Sequence, residues 1–346
     1  THYRDKKLAA DAFFYSGNYQ GALPIYDSLI EVYKDNEELR HMLVCLMELD
    51  QRHKILTIFD ELEEETSNTP FYLKMSGAIH QRIGDIETAQ KTYGKYLEQI
   101  PNDLNVSLAW VETSEKLGDK SAIEDFLDAA DNYGSSAPED IVRLAHILVD
   151  YGRVDNGLLL AYENRRNHYD NPAAHFGYMG LLLFKTKQIP KIDEASEIAV
   201  DTAFVLQDKG GNNSTYIIES NENRNRQIGE LSPDDFISVN AIGKKVGDDL
   251  VVSERYLQNE VRKVVSIKNK YLHALHESME RFQELFPENK GMTKVSLVDS
   301  TDTNEQFSPI FESVSQRQDQ ILQVEELYIT NRLPLAVVAQ FTYPPD

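Results

Sequence analysis

Apolar residues recur every three or four positions along the first two hundred residues, which is the spacing of amphipathic helices. The helical pattern is broken at regular intervals by a residue suited to a tight turn. These turn positions are Gly17, Asp50, Gly84, Gly118 and Gly152, separated by 33, 34, 34 and 34 residues. A nearly constant interval of this length, with two helical patterns in each interval, predicts a solenoid of stacked helical hairpins.

The residues after each turn indicate how the two helices of a hairpin approach each other. A small residue suits the crossing point, and the fifth position after the turn holds Ala22, Ile55, Ala89, Ile123 and Gly157. A larger side chain four residues later fills the gap beneath, and these are Tyr26, Phe59, Tyr93 and Leu127. The interval and these positions together resemble the tetratricopeptide (TPR) repeat. The resemblance implies a mainly α chain: a TPR α-solenoid of about five to six helix–turn–helix repeats in residues 1–200, with a sixth pair at 173–199. An unrelated helical bundle is the alternative, but a bundle has no reason to keep the interval.

The first helix of each TPR pair lines the concave surface of the solenoid, so the resemblance also predicts a binding face. Counting back from each turn gives the candidate partner-binding residues Lys7, Asp11, Phe14, Arg40, Val44, Lys74, Ala78, Gln81, Glu112 and Glu115. Their mixed charges predict a protein partner bound as an extended peptide or a helix. The face lacks the dense set of Lys and Arg that would clamp a terminal carboxylate.

The pattern changes near residue 200, where β-rich runs predict a second, smaller α+β domain over 201–300. Residues 201–220 read as a hairpin around Gly-Gly-Asn-Asn. Ser232 as N-cap and Pro233 at the first helical position predict a helix of about two turns. A strand follows Gly247, and residues 261–287 begin extended and become an amphipathic helix. A strand and polar linker follow from 289, and one helix at about 315–330 lies in a tail of 301–346 that we expect to open a further domain.

The stretch "LSPDDFISVNAIGKKVGDDLVV" resembles the C-terminal domain of the bacterial Gre-type transcript cleavage factors. The matching residues are Ser232, Pro233, Ile242, Gly243, Lys244, Lys245, Val246, Gly247 and Asp248. The resemblance covers 201–268 and implies an FKBP-like fold, a small antiparallel sheet wrapped on one short helix. It also implies docking on RNA polymerase or another transcription or RNA-processing machine, with Lys244, Lys245, Arg262 and Lys263 as partner-binding residues. The acidic coiled coil that assists cleavage in that family has no counterpart in this sequence. The same stretch does not fit a Walker-type phosphate-binding loop, because no Ser or Thr follows the lysine.

The order of these parts also resembles large bacterial proteins that continue into a PIN-type nuclease, in which a segment like "NRLPLAVVA" precedes or opens the nuclease. This resemblance implies that the chain is the regulatory part of a larger nuclease, such as a toxin or defence effector. Two alternatives stay open. The second domain could serve only for scaffolding or oligomerisation, or the chain could be a peptidyl-prolyl isomerase of the TPR-immunophilin kind.

Composition narrows the chemistry. The net charge is −22, and residues 1–208 contribute 20 Lys and Arg against 36 Asp and Glu, which disfavours nucleic acid as a partner. The chain has one cysteine, Cys45, which fits a reducing cytoplasm. It contains no apolar run of about 18 residues, so the sequence predicts no membrane-spanning helix. His273 and His276 have a spacing that can hold a metal, yet no third ligand follows. We therefore expect no catalytic residues, metal or cofactor in this chain.

Overall fold

A computed structural model of the chain describes residues 3–133, 136–185, 187–190, 192, 194–253 and 260–289. The chain divides into two compact units, Thr1–Leu275 and His276–Asp346. The predicted strand and linker after 289, the helix at 315–330 and the remaining tail lie outside the described residues. The domain boundaries at 200 and 300 stay predictions.

Helices dominate the first part of the chain. In chain order they are α1 (Tyr3–Tyr15), α2 (Tyr19–Asp27), α3 (Glu37–Glu48), α4 (Arg52–Glu61), α5 (Glu64–Ser67), α6 (Pro70–Ile83), α7 (Ile86–Gln99), α8 (Leu104–Leu117), α9 (Lys120–Asp128), α10 (Pro138–Asp150), α11 (Val154–Asn167) and α12 (Pro172–Phe184). A short 3₁₀ helix, Ala130–Tyr133, follows α9. The pairs α1–α2, α3–α4, α6–α7, α8–α9 and α10–α11 are five hairpins, and we call their first members, with α12, the first helices.

Each hairpin turns where the sequence predicts. Glycines occupy four of the five predicted turns, and their φ values lie between +72° and +86°: Gly17, Gly84, Gly118 and Gly152. Asp50 occupies the fifth turn with φ of +52°. This left-handed conformation is easy for glycine and tolerable for aspartate, so the sequence interval marks real chain reversals.

Small residues allow the helices of a hairpin to cross closely. Ala22 and Ala89 are fully buried at the crossing position. A methyl group on Gly157 of α11 would lie only 2.7 Å from the carbonyl oxygen of Ala145 in α10. The predicted crossing slot is therefore occupied as expected, and at Gly157 only a hydrogen atom fits.

The sixth hairpin predicted at 173–199 is not formed. Its first helix is α12, but no residue described between 185 and 200 is helical. Pro190 interrupts this stretch, and a later part of the chain packs on α12, because the Tyr178 hydroxyl donates a hydrogen bond to the Tyr271 carbonyl at 2.7 Å. The array thus comprises five hairpins and one additional first helix.

A five-stranded sheet follows the array. Its strands are β1 (Thr202–Gln207), β2 (Asn213–Ile218), β3 (Glu230–Leu231), β4 (Asp249–Ser253) and β5 (Glu260–Asn269), in the order β3-β2-β1-β5-β4. The predicted β1–β2 hairpin is confirmed, with Ala203 opposite Ile217. The expectation of an antiparallel sheet is wrong at one place, since the short β3 runs parallel to β2. The Gre-like and FKBP-like identity of this domain stays a prediction.

Two further helices are α13 (Phe236–Ala241), which lies between β3 and β4 in the chain, and α14 (Lys270–Leu285), which directly follows β5. The predicted start of α13 is wrong, because its N-cap is Asp235 and not Ser232. The Ser232 backbone N–H donates to the Asp235 carboxylate at 2.7 Å, and the Asp235 N–H donates to the Ser232 carbonyl at 3.0 Å. Residues 232–235 therefore close a turn of their own before the helix begins.

Buried charges join the array to the sheet. The guanidinium of Arg166 in α11 donates two hydrogen bonds of 2.6 Å to the carboxylate of Glu230 in β3. The Lys270 ammonium donates to Glu219 at 2.8 Å, and the hydroxyl of Tyr162 in α11 also donates to Glu219 at 2.8 Å. Because these side chains are almost entirely shielded from solvent, each charge depends on its partner. The junction therefore fixes the sheet against the last hairpin of the array.

Candidate functional site

Side chains of successive first helices contact one another, so they define one continuous face. The Lys7 ammonium of α1 lies 2.6 Å from the Glu37 carboxylate of α3. Gln81 of α6 donates to Glu112 of α8 at 3.2 Å, and Arg143 of α10 forms a short ion pair with Glu112. We call this surface the first-helix face, and it carries the residues that the sequence predicted for it.

The other predicted residues lie on the same helices and are also partnered by neighbours. The Phe14 ring stacks on His41 with ring centres 4.1 Å apart. The Tyr26 hydroxyl donates to Asp11 at 2.6 Å. The remaining contacts are Lys74 with Asp103 at 2.9 Å and Glu115 with the Tyr151 hydroxyl at 2.8 Å, while Val44 and Ala78 are half-buried.

A groove of about 580 Å³ opens on this face between α3 and α6. It is lined by Asp35, Asn36, Glu37, Arg40, His41, Val44 and Phe71. Only Arg40 and Val44 of these were predicted. Asp35 and Asn36 were missed because they precede α3, where Asn36 accepts from the Leu39 N–H as the N-cap. The N-cap pattern of Asn followed by two glutamates was a signal that could have placed them.

Carboxylates crowd the cation at the α1 end of the face. Burial alone would lower the pKa of Lys7, but hydrogen bonds to Glu37 and Glu38 outweigh it and raise that pKa. Burial alone would raise the pKa of Glu38, but hydrogen bonds, first of all the one that it accepts from Lys7, outweigh burial and lower that pKa. Both groups are therefore held in their charged forms.

Arg40 shows how the groove holds a guanidinium. It donates to both oxygens of Asp35, at 2.7 and 2.8 Å, which lowers the pKa of Asp35. Its guanidinium carbon also lies 5.2 Å from the centre of the Phe71 ring. A bidentate carboxylate and an aromatic face are the two features that bind guanidinium groups best in proteins.

Lys244 and Lys245 lie on a turn between α13 and β4. The backbone of Ile198 makes two hydrogen bonds at the start of this turn. Its N–H donates to the Lys244 carbonyl at 2.8 Å, and its carbonyl accepts from the Gly243 N–H at 2.7 Å. The Lys245 N–H donates to the Asp248 carboxylate at 2.8 Å, while the Lys245 side chain is exposed.

The two other predicted basic residues lie on β5 and differ in their surroundings. Lys263 is exposed and pairs in register with Asp249, directly after the turn. Arg262 instead bonds Glu260 at 2.8 Å and Ser214 at 2.8 Å. The structure thus brings Lys263 close to the lysine turn and places Arg262 in an intramolecular network.

Sequence reasoning missed an apolar surface beside the same turn. Four large side chains there are between 43% and 63% exposed, namely Phe236, Val239, Ile242 and Val246. We call them the α13 patch. The first three are spaced by three residues, with Phe236 and Val239 in α13 and Ile242 at its C-cap, which was a readable signal of one shared face.

A metal cluster, a reactive thiol or a membrane-spanning helix would each indicate another function for the residues that the structure covers. No three His, Cys, Asp or Glu side chains among them are arranged to hold a metal ion. Burial raises the pKa of the Cys45 thiol to about 11, which keeps it protonated and unreactive. Of the described helices, none combines the length and apolar character needed to cross a bilayer.

Comparison with known proteins gives similarity to TPR structures over about half of the chain. The thermophilic TPR protein TTC0263 of Thermus thermophilus is 16% identical, with a TM-score of 0.40, and the match covers 53% of this chain and 100% of that one. The structure of MamA MSR-1 C2 is 14% identical, with a TM-score of 0.34, and the match covers 46% of this chain and 90% of that one. No family model and no curated protein matches the sequence. The 34-residue interval and the hairpin geometry, rather than these similarities, define the array as TPR-like.

Proposed function

We propose that this chain is a non-catalytic scaffold whose first-helix face binds a segment of a partner protein. The observation that carries this proposal is the groove between α3 and α6, where charged, aromatic and apolar side chains line one opening. Such a mixture suits peptide recognition, in which apolar contacts supply affinity and a few polar groups fix the register. Because the first helices stack side by side, a bound segment could extend over several repeats.

Site-specific photo-cross-linking tests this proposal. A photoreactive phenylalanine analogue at Val44 lies on the groove, and the same analogue at Glu98 lies on the exposed side of the second helix α7. In bacterial extract we expect one defined protein adduct from position 44 and none from position 98. Equal adducts from both positions, or none from either, would contradict groove binding.

We also propose that the sheet domain docks on bacterial RNA polymerase through the lysine turn and the α13 patch. The resemblance to the Gre-type domain motivates the partner, and the exposed patch supports a docking surface at this position. Exposed apolar side chains beside a cation are common in interface cores and rims. Docking would place the array, and whatever it binds, beside the polymerase.

Binding of purified bacterial RNA polymerase to the immobilised chain tests the docking proposal. Val239→Glu and Lys245→Glu should each weaken binding about tenfold or more, because they place a charge in the interface or reverse one. Lys209→Glu, on the β1–β2 turn, is the matched control and should change little. Failure of the wild-type chain to bind polymerase would overturn the proposal. A Val239→Glu variant that changes from dimer to monomer in light scattering would favour the oligomerisation alternative.

The link to a PIN-type nuclease stays a proposal from the resemblance of residues 331–339, which lie outside the described residues. The reading frame that encodes the chain tests it directly. A continuation with several clustered carboxylates beyond Asp346 would support it, and a stop codon at that point would contradict it.

A further inference from the structure

We infer that the segment bound by the first-helix face is basic, and that one of its Lys or Arg side chains binds at Glu37. This inference rests on the proposed function and adds the chemistry of the partner. Three observations support it. Negative charge predominates at the groove, Glu37 can exchange its present partner for a ligand cation, and the groove already binds the guanidinium of Arg40.

Carboxylates outnumber cations where the groove opens. The Lys7 ammonium has three carboxylates around it, Glu37 at 2.6 Å, Glu38 at 2.9 Å and Asp11 at 3.9 Å. Four cations of the face each contact a carboxylate: Lys7, Arg40, Lys74 and Arg143. At the groove, Lys7 and Arg40 face four carboxylates, those of Asp11, Asp35, Glu37 and Glu38, so the charge there is negative.

Glu37 is the carboxylate that can change partners at least cost. Its side chain is 58% exposed at the edge of the groove, whereas that of Glu38 is 11% exposed. Glu38 is also fixed by the Tyr3 hydroxyl at 2.8 Å. If Glu37 turned to a ligand cation, Lys7 would keep Glu38 and Asp11, so no buried charge would be left alone.

The groove also offers a place for the stem of a long basic side chain. Val44 and the ring of Phe71 line its wall, and His41 lies beside them. The alkyl stem of Lys or Arg packs well on such surfaces while its charged end reaches a carboxylate. The Arg40 arrangement with Asp35 and Phe71 is an example of this chemistry within the same groove.

The wider field favours the same partner. With 20 Lys and Arg against 36 Asp and Glu in residues 1–208, the array attracts cationic segments and repels acidic ones. This field alone would attract a basic segment to any acidic surface. The position of binding therefore has to be tested separately from the sign of the charge.

Fluorescence anisotropy with two labelled peptides tests both points. One peptide alternates Arg with Leu, and its counterpart of equal length alternates Glu with Leu. The full chain should bind the Arg peptide and not the Glu peptide. Glu37→Gln should weaken binding about three- to fivefold, the size of one exposed ion pair, and Glu37→Lys about tenfold or more. Glu98→Gln and Glu98→Lys make the same charge changes on the outside of α7 and should alter affinity less than twofold.

Each contrary result has a distinct meaning. Equal losses from the Glu37 and Glu98 variants would show attraction by net charge alone and overturn the inference. Preference for the Glu peptide, abolished by Val44→Glu, would preserve groove binding and overturn the basic partner. Displacement of the Arg peptide by spermidine at equal concentration would overturn a peptide occupant. If neither peptide binds and position 44 also yields no cross-linked protein, the proposed function fails together with the inference.

Discussion

At the scale of single residues, the buried charges of the junction are the ones whose loss should matter most. Arg166 and Glu230 form a two-pronged ion pair that is shielded from water, and Lys270 pairs with Glu219 beside it. A buried ion pair adds little net stability against an apolar replacement of both partners, but removal of one partner leaves a charge without compensation.

Arg166→Ala should lower the free energy of unfolding by about 3–5 kcal/mol, because Glu230 would remain buried without a cationic partner. Urea denaturation followed by circular dichroism measures the change. Lys54→Ala, which breaks an exposed pair with Asp27, serves as the control and should have a small effect. A loss no greater than that of the control would contradict the shielded geometry of the pair.

Acid should weaken the same junction. Burial would raise the pKa of Glu219, but hydrogen bonds from Lys270, the Asn221 N–H and Tyr162 outweigh it and hold that pKa below its ordinary value of 4.5. The unfolded chain then binds a proton more readily than the native chain, so this contribution is complete above about pH 4.5 and falls as the pH drops further. Urea titrations at several pH values between about 6 and 3 give the free energy of unfolding as a function of pH. This free energy should fall less steeply with decreasing pH for Glu219→Gln than for the wild type. An equal fall for both proteins would exclude Glu219 as a source of acid sensitivity.

The sequence could not have predicted this cluster. The partners of the two ion pairs are far apart along the chain, 64 residues for Arg166 and Glu230 and 51 for Lys270 and Glu219, and each residue resembles an ordinary surface charge in its local context. Their partners are set by how the sheet packs on α11, which is a tertiary property. The residues of the first-helix face were predictable because they repeat at the interval of the hairpins, whereas the groove also uses Asp35 and Phe71, which the counting scheme did not include.

At the scale of elements, the turns and crossing points account for the array. Asp50 was assigned to a turn only because it falls in the glycine slot, and it adopts the left-handed conformation found there. Local signals of this kind are readable because one residue determines the backbone. The missing second helix at 185–200 was not readable, since a residue distant in sequence, Tyr271, packs against α12 instead.

Two glycine-to-alanine substitutions should distinguish the effect of helix propensity on stability from the effect of close packing where two helices cross. Gly157→Ala should cost about 1–3 kcal/mol, because its methyl group would meet the Ala145 carbonyl at 2.7 Å. Gly94→Ala should instead add up to about 1 kcal/mol, because its nearest neighbour, Trp110, is 3.7 Å away and alanine favours the helix. Thermal or urea unfolding of both variants gives the comparison. A stabilised Gly157→Ala would contradict the close crossing of α10 and α11.

At the scale of the whole molecule, the array and the sheet form one compact unit, Thr1–Leu275. The buried junction couples them, since Tyr162 contacts Glu219 and Tyr178 contacts Tyr271. We expect near- and far-ultraviolet circular dichroism to report a single unfolding transition for this unit. Two separate transitions, one for the helices and one for the sheet, would show that the junction does not couple them.

The scaffold proposal depends on one claim at this scale, that a partner lies along the first helices. Hydrogen–deuterium exchange of the full chain, with and without the protein captured at Val44, tests this claim most directly. We expect slower exchange in α1, α3 and α6 and unchanged exchange in α7. Protection centred on the second helices, or no change in α3 and α6, would contradict it.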